Sequence, residues 1–266
     1  MPDIHPTAVV EAGAELADDV EIGPFCLVGP EVKLAAGVTL LSHVVVVGNT
    51  EIGSGTRIYP FASVGHAPQD KKYRGEHSKL VVGADNTIRE SVSISPGTED
   101  GGMVTRIGDR NLFMLGSHVA HDCQVGNDTV FVNHATLAGH VTVEDFAVLG
   151  GLSAVHQFCR IGRHAFVGGV TGVERDVIPY AMVMGDRARL VGLNLVGMQR
   201  RGFARDDILA LREAVDLLFL PEGTLQERTE AIAERFPEAA PVQHVVEFVR
   251  TASKRGIVQP ASGHAD

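Results

Sequence analysis

A large apolar residue recurs at every sixth position along the first two thirds of the chain. Eleven such positions run without a gap from Ile4 to Val64, three from Val82 to Ile94 and twelve from Ile107 to Val173. A period of six fits neither the 3.6-residue repeat of an α-helix nor the two-residue alternation of a simple strand, but it fits short strands joined by tight turns. The pattern predicts an all-β solenoid, a parallel β-helix in which each hexad is one side of a coil.

The fourth residue after each of these register positions is usually small, as at Ala62 and Ala135. A small side chain suits the inside of a narrow turn, so we expect this position to face the interior. The three cysteines all fall on it, at Cys26, Cys123 and Cys159. This placement favours packing over a redox or metal-binding role. Three cysteines without paired spacing also indicate a reducing compartment.

Two segments interrupt the hexads, from Asp70 to Val81 and from Glu99 to Arg106. Breaks in a solenoid usually form loops on one face, often the binding face. After Val173 the pattern becomes helical. Helices are predicted over 206–220, after a capping-box signature at Thr224 and Glu227, and over 242–255 before Gly256. We expect a β-helix domain over 1–185 and a C-terminal α-helical domain over 186–266 that covers the open end of the coil.

Charge and hydropathy narrow the possible partners. The net charge of −10 argues against nucleic acid as the main partner. No segment approaches the ~20 apolar residues of a membrane span, and the N-terminus has no basic region before an apolar run, so we expect a cytoplasmic protein without an integral membrane segment. The stretch 186–205 nevertheless carries a cluster of arginines that suits an acidic protein partner, although a solvated helix face is an alternative. The arginines are Arg187, Arg189, Arg200, Arg201 and Arg205.

The run HVAHDCQVG, from His118 to Gly126, contains the most reactive side chains. The hexads resemble those of the hexapeptide-repeat family, in which three hexads make a coil of 18 residues, and in such a coil residues 18 apart lie side by side at a spacing of ~4.8 Å. His121 then lies next to Gly139, and Asp122 lies next to His140. A histidine with an orienting carboxylate is a candidate general base, and the Gly139 amide is a candidate donor to a developing oxyanion.

Two other interpretations of this run stay open. His118, His121 and His140 could together bind zinc, as in a carbonic-anhydrase-like hydratase, since catalytic zinc sites use three protein ligands. Alternatively, the histidines could simply form hydrogen bonds at turns.

Seven motifs, taken together, resemble the UDP-N-acetylglucosamine O-acyltransferases of lipid A biosynthesis, a hexapeptide-repeat family. The resemblance covers essentially the whole chain, and it implies a left-handed coil and a homotrimer with its active sites between subunits. The implied reaction, the first step of lipid A biosynthesis, moves a 3-hydroxyacyl chain from acyl carrier protein to the glucosamine 3-hydroxyl of UDP-GlcNAc. The implied reaction needs no cofactor beyond the phosphopantetheine arm of the carrier. The motifs are IGPFC, LLSHVVV, QDKKY, HVAHDC, NHATLAGHV, VHQFCRIG and MQRRGF.

The resemblance also implies a role for individual residues. His121 would be the general base, Asp122 its partner and the Gly139 amide the oxyanion donor. Three groups of other residues would bind substrates. The first would contact the sugar nucleotide, the second would line the cleft between donor and acceptor, and the third would lie near the phosphates and uracil or near the phosphopantetheine arm. In that order the groups are Asp70, Lys72 and His118; His140, His156 and Gln157; and Asn194, Arg200 and Arg201.

Gly169 carries the most specific expectation. In the family that this chain resembles, a bulky residue at this place shortens the acyl chain that is accepted, so glycine predicts a longer chain of about 14 carbons, each methylene contributing ~1 kcal/mol. A turn that needs positive φ is an alternative explanation for glycine in a Gly-Gly pair.

Ser95 and Gly116 depart from the family pattern, which has a histidine and an asparagine at these places. An acceptor with a 3-amino group, giving an amide product, is therefore an alternative. An acetyl-CoA-dependent acetyltransferase and the N-acyltransferase of the same pathway are rival members of the same fold.

Overall fold

The predicted β-helix is confirmed. A computed structural model describes residues 1–251 and 253–260, and the end of the expected C-terminal domain, 261–266, lies outside the described residues. Most hexads contribute a two-residue strand whose second residue is the register residue, and each strand pairs in parallel with the strand one coil further on, as Val119 does with Leu137. Three sheets of 11, 9 and 8 strands form the faces of a prism.

The strands of each face follow in chain order. The first face comprises Asp3–Ile4, Glu21–Ile22, Thr39–Leu40, Arg57–Ile58, Thr87–Ile88, Leu112–Phe113, Val130–Phe131, Val148–Leu149, Phe166–Val167, Ala181–Met184 and Arg189–Leu193. The second comprises Val9–Val10, Leu27–Val28, Val45–Val46, Ser63–Val64, Ser93–Ile94, His118–Val119, Thr136–Leu137, Ala154–Val155 and Gly172–Val173. The third comprises Glu15–Leu16, Lys33–Leu34, Asn49–Ile52, Lys79–Val82, Val104–Ile107, Gln124–Val125, Thr142–Val143 and Arg160–Ile161.

The register residues fill the interior of the prism. From Ile22 onward they are buried, whereas Ile4 is 38% exposed because no coil precedes the first one. All three cysteines are buried and unpaired, as predicted. Burial raises the pKa of the Cys123 and Cys159 thiols to about 12, so both stay protonated and act as small apolar side chains.

Each coil turns at three corners, which are named here by what lies on them. The loop corner, between the second and third faces, contains His121, Asp122, Gly139 and His140. The Gly169 corner lies between the first and second faces, and the His164 corner between the third and first. Many corner residues have positive φ without being glycine, including Asp122 at 61° and His140 at 62°. These turns therefore hold functional side chains in a fixed, left-handed backbone conformation.

Both interruptions of the hexads leave the prism at the loop corner. The first loop spans 65–78 and the second 95–103, with a short 3₁₀ helix at Glu99–Gly101. The predicted breaks extended too far, because Lys79–Val82 and Val104–Ile107 are four-residue strands paired with each other. Thr105 in the second of these strands faces inward and is fully buried although it is polar. The chain therefore rejoins the sheet before the next apolar register residue.

After the β-helix, the strand Arg189–Leu193 pairs antiparallel with Ala181–Met184, so the first face continues past the expected boundary at residue 185. Four helices follow: α1 (Leu195–Arg200), α2 (Arg205–Leu218), α3 (Leu225–Arg235) and α4 (Ala240–Arg250). The capping box at the start of α3 is confirmed. Helix α4 ends at Arg250 instead of continuing to 255, because the chain must leave the helix for Ile257 to pair with Asp176.

The helices cover the C-terminal end of the prism, as expected. Phe203 packs edge-on against His164 and Tyr180 of the last coils, and the Tyr180 hydroxyl is 2.6 Å from His244 Nδ1 in α4. Apolar residues of helices and coils form one continuous core. Within 1–251 and 253–260, no helix has both the length and the hydrophobicity that crossing a membrane requires.

Candidate active site

His121 lies at the loop corner with its ring held on one side. Its Nδ1 is 2.7 Å from the Oδ2 of Asp122, and its side chain is only 15% exposed. An ionised carboxylate only accepts hydrogen bonds, so the shared proton is assigned to Nδ1, which leaves the lone pair on Nε2. Nε2 is therefore placed to accept a proton from a bound molecule, which is what a general base requires.

The carboxylate of Asp122 is 1% exposed and accepts three hydrogen bonds. Besides His121, Thr98 donates twice: its backbone N–H to Oδ1 at 2.9 Å and its hydroxyl to Oδ2 at 2.6 Å. The Asp122 backbone N–H in turn donates to the Thr105 hydroxyl at 2.8 Å. A buried charge is tolerated when its lone pairs are satisfied in this way, so Asp122 is fixed in position.

Gly139 packs directly against the His121 ring. A Cβ at this position would lie 2.5 Å from Cε1 of His121, which is closer than atoms approach. The neighbouring amides of Ala138 and His140 donate to Val155 and His121, but the Gly139 N–H donates to none of the described residues. A free N–H beside the proposed base is what an oxyanion donor requires.

His140 and His118 lie on either side of this pair and favour the neutral state. Burial is the main cause that lowers the pKa of both rings. His140 stands edge-on to His121 with ring centroids 5.0 Å apart and stacks on Phe158 at 4.5 Å. His118 Nδ1 is 2.7 Å from the Ser93 hydroxyl. Neutral imidazoles can both donate and accept, which suits them to contact sugar hydroxyls.

The first loop brings Asp70 and Lys72 to the same corner. Asp70 Oδ2 is 3.9 Å from Nε2 of His121, on the opposite side of the ring from Asp122. The ammonium group of Lys72 is 78% exposed and lies 3.2 Å from Asp100 in the second loop. The loop thus places one carboxylate near the base and one exposed cation in contact with the second loop.

His156 and Gln157 are exposed on the next coil, one step beyond Gly139, with the His156 ring 3.2 Å from the Gln157 carbonyl. Gln157 therefore lies one coil beyond Gly139, as the 18-residue spacing predicts, and His156 is its neighbour in the chain.

Four predicted site residues lie elsewhere in the chain. Gly169 is on its own corner beside Gly151. Asn194 caps helix α1, accepting from Gly197 N–H and donating to the His164 carbonyl, so both ends of its amide are used within the chain. Arg200 and Arg201 are exposed at the end of α1, where Arg201 lies over the Phe146 ring at 5.1 Å. One chain alone does not bring these residues to His121.

Among the described residues, one group of side chains could hold a metal ion, and it differs from the predicted histidine trio. It consists of His121, Asp122 and His140, with candidate ligand atoms within 4.8 Å of one another. His118 instead faces Ser93. A metal here would have to displace the hydrogen bond between His121 and Asp122, so this donor set is better suited to proton transfer than to zinc.

Three residues that hold Asp122 were not predicted: Thr98, Gly101 and Thr105. A Cβ at Gly101 would lie 1.9 Å from the Asp122 carboxyl carbon, so only glycine lets the 3₁₀ turn approach it. Thr98 lies 24 residues before Asp122 because the second loop intervenes, and the 18-residue rule therefore misses it. The one signal in the sequence was its place at the end of SISPGT, immediately before the second break.

The two departures from the family pattern have different structural settings. Gly116 has a φ of 67°, and the ring of His134, one coil further on, lies 2.4 Å from where its Cβ would be. His134 therefore fills the space that a side chain at 116 would need. Ser95 is buried at the start of the second loop.

Comparisons with known proteins identify the family. A family model described as Udp N-acetylglucosamine O-acyltransferase, Domain 2, matches residues 176–258. Over 260 residues, covering 98% of this chain and 96% of the relative, the sequence is 50% identical to the acyl-[acyl-carrier-protein]–UDP-N-acetylglucosamine O-acyltransferase of Rhizobium johnstonii. The enzyme of the same name from Sinorhizobium fredii is 45% identical over the same length and shares of both chains.

Solved structures give the same result. The UDP-N-acetylglucosamine acyltransferase of Francisella novicida superposes with a TM-score of 0.94 at 37% identity, covering 97% of this chain and 95% of that one. The Campylobacter jejuni enzyme gives 0.91 at 38%, covering 97% and 100%. The left-handed β-helix expected from the resemblance is confirmed. The chain belongs to the UDP-N-acetylglucosamine O-acyltransferase family.

Proposed function

We propose that this protein transfers a 3-hydroxyacyl chain from acyl carrier protein to the 3-hydroxyl of UDP-GlcNAc, with His121 as the general base. The observation that carries the proposal is the hydrogen bond from His121 Nδ1 to Asp122, which leaves the lone pair of Nε2 able to accept a proton at the partly exposed loop corner. The names of the relatives described above state O-acyl transfer from acyl carrier protein to UDP-N-acetylglucosamine.

The reaction can be written with this chain's own groups. His121 Nε2 takes the proton of the sugar hydroxyl as its oxygen attacks the carbonyl carbon of the thioester. The oxyanion that forms accepts a hydrogen bond from the Gly139 N–H. The carbon–sulfur bond then breaks, and the imidazolium returns the proton to the departing thiolate. Every proton is accounted for, and we propose that no cofactor is needed beyond the carrier's phosphopantetheine arm.

We further propose that the working site forms between the subunits of a homotrimer. The supporting observation is that Gly169, Arg200 and Arg201 lie on corners that do not face His121 of the same chain. A second copy, rotated about a threefold axis, can present a different corner to the same cleft.

The acyl carrier protein has an acidic surface in this proposal, and the arginines between 186 and 205 are its docking site. Of these, Arg187 is already paired with Glu174 at the surface, whereas Arg200 and Arg201 have no carboxylate within ion-pair distance among the described residues. Arg187 is therefore the weakest candidate of the cluster, and Arg200 and Arg201 are the two that the family resemblance places near the carrier's arm or the phosphates of UDP-GlcNAc.

The test is acyl transfer from 3-hydroxyacyl carrier protein to UDP-GlcNAc by the wild type and by His121→Ala. The variant should lose at least ~10²-fold in kcat, the usual contribution of a general base. His5→Ala, which changes an exposed histidine at the other end of the prism, is the matched control. Transfer that survives in His121→Ala would refute the proposed mechanism.

The same preparation should be analysed for zinc and assayed with the 3-amino analogue of the acceptor. Stoichiometric zinc together with hydratase activity would support the rival metal site at His121, Asp122 and His140. Transfer to the amine alone would replace the ester-forming reaction with an amide-forming one.

A further inference from the structure

Thr98 contacts both oxygens of the Asp122 carboxylate. Its backbone N–H donates to Oδ1 and its hydroxyl to Oδ2, the oxygen that also accepts the hydrogen bond from His121 Nδ1. The His121 side chain at one end of this chain of contacts is partly exposed, while Thr98 and Asp122 are both buried. The second loop is therefore joined to the base by hydrogen bonds through Asp122.

The double contact restricts the rotation of the carboxylate. With one donor on each oxygen, the carboxylate plane cannot turn about its Cβ–Cγ bond without losing a hydrogen bond. Because hydrogen bonds to charged groups are stronger than neutral ones and buried acceptors have no water to replace them, that loss is costly. A fixed carboxylate plane fixes the His121 ring, and with it the direction of Nε2.

The backbone around Thr98 is built for this contact. Gly101 lets the 3₁₀ turn at 99–101 lie against the Asp122 carboxyl carbon. The second loop is joined to the first through Lys72 and Asp100, and through Glu76, whose carboxylate accepts from the Glu99 N–H at 3.4 Å. The position of Thr98 thus depends on both loops.

We propose that Thr98 is a positioning residue for catalysis, which orients His121 by holding Asp122. This rests on the proposed function, because His121 must be the base for its orientation to matter. Thr98 does not touch the substrate in this proposal, so its loss lowers kcat and leaves the KM for UDP-GlcNAc unchanged.

The chain offers a matched control in Thr129. It is also buried, and its backbone N–H and hydroxyl likewise both donate to one side chain, here the Oδ1 of Asn111. Thr129 lies near the His164 corner, away from His121. Thr129→Val therefore removes an equivalent buried hydroxyl, and its Tm measures how much such a loss destabilises the fold away from His121.

The experiment compares kcat, KM and Tm for Thr98→Val, Thr98→Ser and Thr129→Val. We expect Thr98→Val to lower kcat about ten-fold at unchanged KM, the effect of one lost hydrogen bond to a charged group. Thr98→Ser keeps the hydroxyl and should retain most of the wild-type kcat. Thr129→Val should also lower Tm, by no more than Thr98→Val because Asn111 is neutral, while keeping kcat near the wild-type value.

A double-mutant cycle identifies the route of the effect. If Thr98 acts through Asp122, adding Thr98→Val to Asp122→Asn causes little further loss, whereas independent effects multiply. Wild-type kcat in Thr98→Val, failed rescue by serine, or multiplicative losses in the cycle would each overturn the proposal. A wild type with no transfer activity, or an active His121→Ala, would instead refute the proposed function itself.

Discussion

His121 and Gly139 lie one coil apart and touch. A Cβ on residue 139 would lie 2.5 Å from Cε1 and 2.7 Å from Nε2 of the His121 ring. The backbone at Gly139 does not have the positive φ that favours glycine, so the glycine is required by the ring beside it and not by the turn.

Gly139→Ala should therefore impair catalysis more than folding. The added methyl group must push the ring of His121 away from its place, and a displacement of about 1 Å can cost about 10²-fold in rate. We expect kcat to fall by roughly that factor, while Tm changes little because the ring can move into the cleft. A kcat within two-fold of wild type would show that the ring contact is unimportant. Thermal unfolding of both proteins, measured alongside the assay, separates the two effects.

Gly169 is not needed for backbone conformation either. The positive φ in this turn belongs to Val170, at 57°, so the interpretation of Gly169 as a left-handed turn residue is wrong. The nearest atom to a Cβ at 169 is the Gly151 carbonyl oxygen at 3.3 Å, so a side chain fits after a small shift and projects outward.

Gly169→Met should consequently shorten the acyl chain that is used, with little effect on stability. We expect the preference to move from about 14 carbons toward about 10, because each methylene excluded from an apolar groove is worth ~1 kcal/mol. The measurement is kcat/KM for a series of 3-hydroxyacyl carrier proteins with wild type and variant. An unchanged chain-length profile would show that Gly169 does not line the acyl groove.

His164 makes the stability of the fold depend on pH. It is stacked between Phe146 and Tyr180, and its pKa is lowered to about 4, chiefly by burial and then by Arg201, Arg163 and His244, against a weaker opposing effect of Asp145. In the unfolded chain its pKa is ~6.5. Since the unfolded state binds the proton first, stability is lost as pH falls from about 6.5 to 4, by about 2 kcal/mol at pH 5.

His164→Phe should flatten this pH dependence. Phenylalanine suits the corner, because Phe146 and Phe158 occupy equivalent positions with φ of 62° and 66°. It also removes a buried ring nitrogen, Nδ1, that has no hydrogen-bond partner among the described residues. We expect Tm at pH 7 to stay the same or rise, and the Tm difference between pH 7 and pH 5 to shrink. Parallel Tm curves for the two proteins would assign the acid sensitivity to other groups.

The hexad period, together with the 18-residue coil that the family resemblance implies, predicted most of the prism. It placed the register residues inside, the cysteines with them, and His121 beside Gly139, because a regular coil turns sequence spacing into distance. The same arithmetic fails where the coil is interrupted, which is why the contact between Thr98 and Asp122 was missed. It also says nothing of contacts made by the tail, such as the cap that Asn194 provides for α1.

The last prediction concerns the separation of the site residues. If His121 of one chain works with Arg201 of another, two different inactive chains can complement each other. We expect Arg201→Ala to lower transfer, and mixed trimers of Arg201→Ala and His121→Ala to regain activity. When equal amounts of the two variants assemble at random, a cleft between two chains contains an intact His121 and an intact Arg201 in about one case in four. About a quarter of the wild-type activity should therefore return.

A mixture of His121→Ala and Asp122→Asn is the control, since both changes lie on the same corner of the same chain and no assembly restores an intact pair. Activity in the first mixture and not in the second requires a site built from two chains. Equal recovery in both mixtures, or none in either with trimers present, would place Arg201 outside the cleft that contains His121.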